Sequence, residues 1–213
     1  MSGFFDGYRQ DAVSIRGVPG KSPLFFRDFS LMGGVFLADL RRVRAALPPR
    51  GYRPLRLPLG RALVAVHCME YKDSDIGPYN EVSLSIALDR SWVPLMSLAQ
   101  AARSVLTRTY HAYVKALPVT TETALHGGVD FFNYPKVLAD ISFRETASHR
   151  VCTLRDKAGE VVCEFSGRRL PTRTPEDTMT LHTYPEMDGR VVRAELKVNR
   201  LECATAVGRV GCF

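Results

Sequence analysis

Alternation of apolar and polar residues dominates this chain and predicts a protein built mainly of strands. The run 81–88 (EVSLSIAL) is the plainest case, because Glu81, Ser83 and Ser85 point to one face and apolar residues to the other. Similar short runs bounded by turn residues predict further strands at 52–60, 61–71, 110–119, 140–147, 150–156, 160–170, 191–198 and 201–210.

Two segments carry a helical pattern instead. In 36–49 (FLADLRRVRAALPP) the apolar residues share one face, the arginines lie on another, and Pro48-Pro49 ends the run. In 94–108 (PLMSLAQAARSVLTR) Pro94 suits the first turn of a helix. The residues up to Pro23 have no sustained period and predict an extended arm, and 171–189 predicts a long loop that covers an opening.

Strands outnumber helices and do not alternate with them, so the pattern predicts a β-rich α+β fold. An antiparallel or mixed sheet, closed into a barrel or stacked as a sandwich, accommodates many short strands of this kind. The chain shows no internal repeat and no linker, and residues 1–213 are expected to form a single domain.

Composition and charge exclude several classes of protein. With 46% hydrophobic and 24% charged residues the chain is ordinary for a globular protein, and no stretch approaches the roughly 18 apolar residues of a membrane span. The first residues lack the pattern of a secretory signal, which favours a cytoplasmic location without a membrane partner. The net charge of +7 is scattered among arginines, which favours a solvated basic surface over binding to nucleic acid or an acidic partner.

The five cysteines show no metal-binding or disulfide spacing. They form no CxxC pair, so buried free thiols are expected, and no metal site. Cys152 and Cys163 flank a turn at 155–159 (RDKAG), which predicts that they face each other across a hairpin.

Candidate chemistry centres on Lys136, because the general motifs of catalysis are absent from this chain. Lysine is scarce here, with 6 lysines against 23 arginines, and Lys136 lies between Phe131-Phe132 and Val137-Leu138. Apolar surroundings favour the neutral amine, which is the nucleophilic form that condenses with a carbonyl. The alternative is a lysine whose stem packs on apolar surface while its ammonium reaches water.

Two patches around this lysine resemble the acetoacetate decarboxylase family. The first runs from Gly128-Val129-Asp130 through Tyr134-Pro135-Lys136 to the strand Leu138-Ala139-Asp140-Ile141, and the second is 77–82 (GPYNEV). The two patches occur in the family's order, and the resemblance extends from about residue 20 to residue 145. A helix, a proline-rich turn and a strand in the first half of the chain also look like the family's.

The resemblance implies a conical closed β-barrel, a homo-oligomer and a reaction that needs no cofactor. Lys136 matches the family's Schiff-base lysine, which forms an iminium ion with a β-keto acid before carbon dioxide leaves. Glu81 matches a glutamate that positions substrate or moves protons. The iminium nitrogen accepts electrons, and the same property supports aldol and dehydration steps on small keto acids and related carbonyl compounds.

Three further residues are candidate substrate-binding groups. Arg27 is the nearest counterpart of the family's carboxylate-binding arginine, and otherwise is an ordinary surface charge. Tyr79 either donates a hydrogen bond in the pocket or packs at a strand edge, and His126 either serves the site or is a polar loop residue.

The chain departs from the family at two points. The family's second lysine is replaced by Val137, so the neighbouring cation that activates the amine in acetoacetate decarboxylase is missing. A second alignment would place Asp130 at the reactive position, but it discards the matches at Gly128 and Asp130. A β-barrel that binds a small apolar or carboxylated ligand without chemistry is therefore the alternative function.

Overall fold

The computed structural model describes residues 3–49, 51–91, 97–172 and 178–199. Within these residues the chain forms a β-rich α+β fold. The three helices are α1 (Leu40–Ala46), α2 (Ser97–Thr107) and α3 (Glu122–Phe132). The strands of the first half are β1 (Asp11–Ile15), β2 (Val18–Ser22), β3 (Phe26–Asp39), β4 (Arg56–Leu57), β5 (Arg61–Ser74), β6 (Tyr79–Ala87) and β7 (Thr109–Val119). Those of the second half are β8 (Lys136–Leu138), β9 (Asp140–Glu145), β10 (His149–Arg155), β11 (Val161–Arg168), β12 (Met179–Thr183), β13 (Glu186–Met187), β14 (Arg190–Val191) and β15 (Ala194–Val198).

An eight-stranded mixed sheet organises the molecule. Its strand order is β15-β12-β7-β6-β5-β3, with β4 added beside β5 and β8 beside β7. β3, β5, β6 and β7 pair antiparallel in sequence order, whereas β12 and β8 both run parallel to β7. Helix α3 provides the crossover from β7 to β8, since parallel neighbours need a long connection.

The sheet is an open half-barrel, so the expectation of a closed barrel is not met. Closure requires the first and last strands of a sheet to pair. Here β3 and β15 lie at opposite edges, and the described residues of these two strands make no ladder to each other.

The two faces of the sheet are covered by different elements. The face that carries Val82 packs against a separate three-stranded sheet, β11-β10-β9, through a cluster that includes Cys68, Ile141, Cys152 and Leu154. The other face carries Glu81 and is called the site face below. At one end of the site face Met69, Tyr71, Tyr79 and Val119 pack against Ala124 of α3. The candidate site therefore lies between the main sheet and α3.

Both predicted helices are confirmed within the described residues, and the first is shorter than predicted. The first begins at Leu40, because Asp39 caps it by accepting from the backbone N–H groups of Arg41 and Arg42, and the preceding residues continue β3. The second covers Ser97–Thr107, and Pro94 lies outside the described residues. Helix α3 was not among the predicted elements.

Two segments predicted to lack regular structure contain strands. The expected arm before Pro23 instead forms the β1–β2 hairpin, whose turn residues Arg16 and Gly17 have φ of 48° and 90°. A type of turn with positive φ at both central residues suits a two-residue hairpin. The expected loop 171–189 contains β12 and β13, and the predicted strand 201–210 lies outside the described residues.

The predicted hairpin between the two cysteines forms, but its register separates them. Cys152 lies opposite Phe165 and Cys163 lies opposite Leu154. Cys68 and Cys152 are buried free thiols as expected, whereas Cys163 is exposed. Cys203 and Cys212 lie outside the described residues.

Membrane-spanning helices are not found in the described part of the chain, since none of its helices is long and apolar enough to cross a bilayer.

Candidate active site

Lys136 and Glu81 form a buried ion pair on the site face. The Lys136 Nζ lies 2.8 Å from the Glu81 Oε2, and the two side chains are only 7% and 9% exposed. The residues are 55 positions apart in sequence and meet because β6 and β8 both pair with β7. The register places Glu81 opposite Val119 and Lys136 opposite Leu117, so both side chains project from the same face.

The turn before Lys136 is held by the end of α3. Asn133 adopts a left-handed conformation at φ 49°, and its N–H donates to the carbonyls of Gly128 and Val129. This is a left-handed C-cap of the kind that commonly ends a helix. The Tyr134 N–H then donates to the Gly128 carbonyl at 3.1 Å, and the Pro135 carbonyl accepts from the Leu117 N–H at 3.2 Å. Lys136 therefore enters β8 from a fixed backbone.

Gly128 gives the lysine its space. A Cβ at this position would lie 2.3 Å from Cε and 2.5 Å from Cδ of Lys136, and 3.1 Å from its Nζ. The lysine stem consequently runs directly over the backbone of α3. A larger residue would force the amine away from Glu81.

Tyrosines line the pair on two sides. The Lys136 Nζ lies 5.6 Å from the centre of the Tyr79 ring, close enough for a cation–π contact. Burial raises the pKa of Tyr79 and of Tyr71 well above the usual value, so both phenols stay neutral near pH 7. On another side the Tyr134 hydroxyl lies 2.5 Å from the Thr183 Oγ1, and burial raises its pKa.

Arg27 lies on β3 and forms ion pairs away from the lysine. Its guanidinium contacts Asp75 closely and lies 3.5 Å from Asp73, and its side chain is 39% exposed. The contacts of Arg27 thus tie β3 to the end of β5 and the turn that follows it. Its role toward a substrate carboxylate stays a prediction.

His126 and Asp130 occupy α3 without touching the lysine–glutamate pair. Asp130 is joined by Arg16 in two hydrogen bonds of 2.9 Å, which fasten the β1–β2 hairpin to α3. His126 precedes Asp130 by one helical turn, and its proximity helps to lower the pKa of that carboxyl, after the larger effect of Arg16. Val137, at the position of the family's second lysine, is 56% exposed on the opposite face of the sheet.

Sequence reasoning missed three residues of the site. In the sequence Gly128 is only a match to the family. In the structure, this glycine eight residues before the lysine lets α3 and the lysine side chain approach each other. Tyr134 and Thr183 meet only through the parallel pairing of β12 with β7, which no local pattern signals. A signal for α3 itself existed in Thr121-Glu122, a typical helix start whose threonine accepts from the Ala124 N–H.

The arrangement suits reversible proton transfer between a buried amine and a carboxylate. A carboxylate at hydrogen-bond distance can take the proton that an ammonium must lose before it attacks a carbonyl carbon. Among the described residues there is no cluster of three or more histidine, cysteine or acidic side chains that could bind a metal ion.

The described residues thus form a β-rich half-barrel that holds a buried lysine amine against a glutamate. The sequence model of the family "Acetoacetate decarboxylase (ADC)" matches residues 17–211 of this chain. The chain belongs to the acetoacetate decarboxylase family. No curated protein matches its sequence.

Solved structures share the fold at low sequence identity. Acetoacetate decarboxylase from Legionella pneumophila is 13% identical with a TM-score of 0.56, over 84% of this chain and 66% of that one. A further acetoacetate decarboxylase is 16% identical with a TM-score of 0.58, over 83% and 67%. The enduracididine biosynthesis enzyme MppR, complexed with the condensation product of pyruvate and imidazole 4-carboxaldehyde, is 13% identical with a TM-score of 0.53, over 79% and 66%. The chain thus spans about two thirds of the length of these proteins.

Proposed function

We propose that this protein is an acetoacetate decarboxylase-like enzyme that forms a Schiff base between Lys136 and a small keto acid. The observation that carries the proposal is the 2.8 Å contact between the Lys136 Nζ and the Glu81 Oε2. Both side chains are almost fully shielded from solvent. A buried ion pair costs desolvation free energy, so its presence inside the fold calls for a functional reason.

The proposed reaction assigns each proton. Glu81 takes a proton from the Lys136 ammonium, the free amine adds to the substrate carbonyl carbon, and one amine proton moves to the carbonyl oxygen to give a carbinolamine. Glu81 returns the proton to the carbinolamine oxygen, which leaves as water and gives an iminium ion. In a β-keto acid the bond to the carboxylate then breaks, its electron pair moves toward the iminium nitrogen, and carbon dioxide departs. The enamine is protonated at carbon and hydrolysed.

The iminium intermediate also supports carbon–carbon bond formation and dehydration. MppR shares the fold and is complexed with a condensation product of pyruvate and an aldehyde, which supports a wider range of carbonyl chemistry for this fold. Position 137 carries a valine on the opposite face and supplies no second cation, so the reactivity of the amine is assigned to Glu81, Tyr79 and burial. The geometry supports decarboxylation or aldol and dehydration chemistry alike.

A binding protein without chemistry is the second candidate. The ion pair favours it in one respect, because Lys136 and Glu81 satisfy each other's charges without any ligand. Such a protein would hold a small apolar or carboxylated ligand on the site face. The two candidates differ in whether a covalent bond to Lys136 forms.

Covalent trapping separates them. We expect incubation with acetoacetate and borohydride to reduce the iminium and leave an isopropyl group on Lys136 after carbon dioxide loss, or a carboxylated adduct if decarboxylation does not occur. The measurement is intact mass followed by peptide mapping. A folded protein that gains no mass with acetoacetate or with longer β-keto acids would overturn the proposal.

Three variants distinguish a loss of the reactive amine from a loss of folding. Lys136→Ala leaves the Glu81 carboxylate buried alone, which costs about 3 to 5 kcal/mol. Lys136→Arg keeps a cation beside Glu81 but offers no nucleophilic amine of the same kind, so it should stay folded and remain unmodified. Lys115→Ala removes an exposed lysine of β7 and should leave trapping unchanged.

A further inference from the structure

A row of serines continues from Glu81 along β6. Glu81, Ser83 and Ser85 are successive residues of the site face, and each residue is 7 to 8% exposed. Same-face neighbours on a strand are about 6.7 Å apart, so the row extends about 13 Å from the glutamate. Ser85, at the far end of the row, therefore lies beyond the reach of a substrate as short as acetoacetate.

Both serine hydroxyls are available to a ligand. Within the described chain neither hydroxyl has a hydrogen-bond partner. Two other side-chain atoms of the described residues, the Arg150 Nε and the His182 Nδ1, also have no partner but are fully shielded from solvent, whereas the serine hydroxyls are not. Buried polar groups are normally paired, so two neighbouring unpaired hydroxyls that still reach open space indicate a missing partner. A bound polar group would supply it.

The residues that lie opposite the two serines on the neighbouring strands are uncharged. On the neighbouring strand β5, His67 lies opposite Ser83 and Ala65 lies opposite Ser85, while Val114 lies opposite Ser85 on β7. Burial lowers the pKa of His67, so its imidazole is neutral near pH 7. A carboxylate placed here would lose hydration, whereas a hydroxyl or amide would be satisfied by the serine hydroxyls.

An apolar wall follows the row on β3. Leu31, Val35 and Leu37 project from the site face and are 39%, 65% and 64% exposed. They lie opposite Met69, Ala65 and Leu63 of β5. A substrate that extends from Lys136 along β6 would thus meet hydroxyl groups on one strand and hydrocarbon on another.

We infer that the site selects keto acids longer than acetoacetate, with a mainly apolar chain that carries one uncharged hydrogen-bonding group at the level of Ser83 and Ser85. This inference rests on the proposed function for the reacting end of the substrate. The spacing of about 6.7 Å between neighbouring residues of the row corresponds to a chain of about five bonds. Ser83 and Ser85 are specificity-determining residues under this inference, and His67 supports them.

The test compares two β-keto acids of equal length that differ by a single hydroxyl. 3-Oxooctanoate and its 8-hydroxy derivative share the reacting end, and kcat/KM is measured for each. We expect the wild type to favour the hydroxylated substrate by roughly tenfold, as one or two added hydrogen bonds would give. The double variant Ser83→Ala/Ser85→Ala should turn over the two substrates with equal kcat/KM, and a preference of unchanged size in this variant would overturn the inference. Ser142→Ala, which removes an exposed serine of β9, should keep the preference.

A binding measurement separates this inference from the proposed chemistry. 3,8-Dihydroxyoctanoate has no carbonyl and forms no Schiff base, so its Kd is determined by calorimetry. We expect Ser83→Ala/Ser85→Ala to raise this Kd roughly tenfold. Absence of binding, or an unchanged Kd in the double variant, overturns the inference even if Lys136 is trapped by acetoacetate. Serine-dependent binding without any trapping supports the inference about the row and overturns the proposed chemistry.

Discussion

At the scale of single residues the site depends on the contact between Gly128 and Lys136. The lysine stem occupies the volume that a Cβ at Gly128 would fill, so this glycine is required for close approach and not for a turn. Its neighbour Gly127 has a different environment, because a Cβ there would lie 3.5 Å from the Ile15 Cδ1 in ordinary contact. The two glycines therefore offer a matched pair of substitutions in one helix.

We expect Gly128→Ala to abolish most of the reactivity of Lys136 without unfolding the protein. Alanine stabilises a helix interior relative to glycine by about 1 kcal/mol, and the flexible lysine stem can move aside. A displacement of about 1 Å at a reacting atom can cost about 100-fold in rate. The rate of borohydride trapping by acetoacetate measures the effect, with Gly127→Ala as the control. Equal trapping in Gly128→Ala and wild type would contradict this view of the site.

The same residues show how far local sequence could lead. Lys136 was accessible from its apolar neighbours, and the family resemblance of two patches implied that Glu81 acts near it. The 2.8 Å contact itself depends on the registers of β6 and β8 with β7, and a slip of one residue would turn either side chain to the other face. The role of Gly128 was hidden, because glycine in a sequence indicates flexibility as readily as close packing.

At the scale of elements, strands were easier to predict than helix α3. The β6 alternation and the β10–β11 hairpin were evident from period and turn residues. Helix α3 contains Gly127-Gly128 and ends in Phe131-Phe132, residues with weak helix propensity, and its stability comes from packing against Tyr79 and Val119 of the sheet. Pairing of β12 with β7 joins residues about 70 positions apart, which local pattern does not reveal.

The pair β7 and β12 also carries two histidines in register. His111 and His182 stack with ring centres 5.2 Å apart, and the His111 Nδ1 lies 2.8 Å from the Tyr184 hydroxyl. Burial, the charge of His182 and the nearby Arg90 and Arg193 lower the pKa of His111 to about 4. Glu195 lies 3.7 Å from the His182 Nδ1 and is the acidic group that faces the pair.

The histidine pair makes a prediction for acid stability. Unfolded His111 takes up a proton below about pH 6.5, whereas folded His111 does so only near pH 4, so the free energy of unfolding falls as pH drops between these values. We expect His111→Gln to flatten this part of the stability profile. Urea unfolding at several pH values between 7 and 4 measures it, with His149→Gln as the control. An unchanged slope in His111→Gln would show that other groups cause the acid sensitivity.

At the scale of the whole molecule, the fold leaves apolar surface on α2. Leu98, Val105 and Leu106 are 55%, 65% and 84% exposed, and the resemblance to the acetoacetate decarboxylase family implies a homo-oligomer. Exposed apolar residues grouped on one helix favour contact with another protein surface. We therefore predict a subunit contact at α2.

We expect the wild type to be oligomeric and Val105→Glu/Leu106→Glu to lower its mass in solution, because two buried charges would oppose association. Light scattering coupled to size-exclusion chromatography measures the mass. Leu59→Glu is the control, since Leu59 is 96% exposed in the turn before β5. A monomeric wild type, or an α2 variant of unchanged mass, would count against this contact.

The crossover from β7 through α3 to β8 has a practical consequence for work on this protein. Lys136 is the first residue of β8, so the amine meets Glu81 only after α3 has docked on the sheet. Under the proposed function, the acetoacetate adduct would therefore report native docking, in addition to its use in enzymology. A preparation in which a fraction of the chains carries a loosened α3 would show that fraction directly, as the unlabelled peak of its mass spectrum.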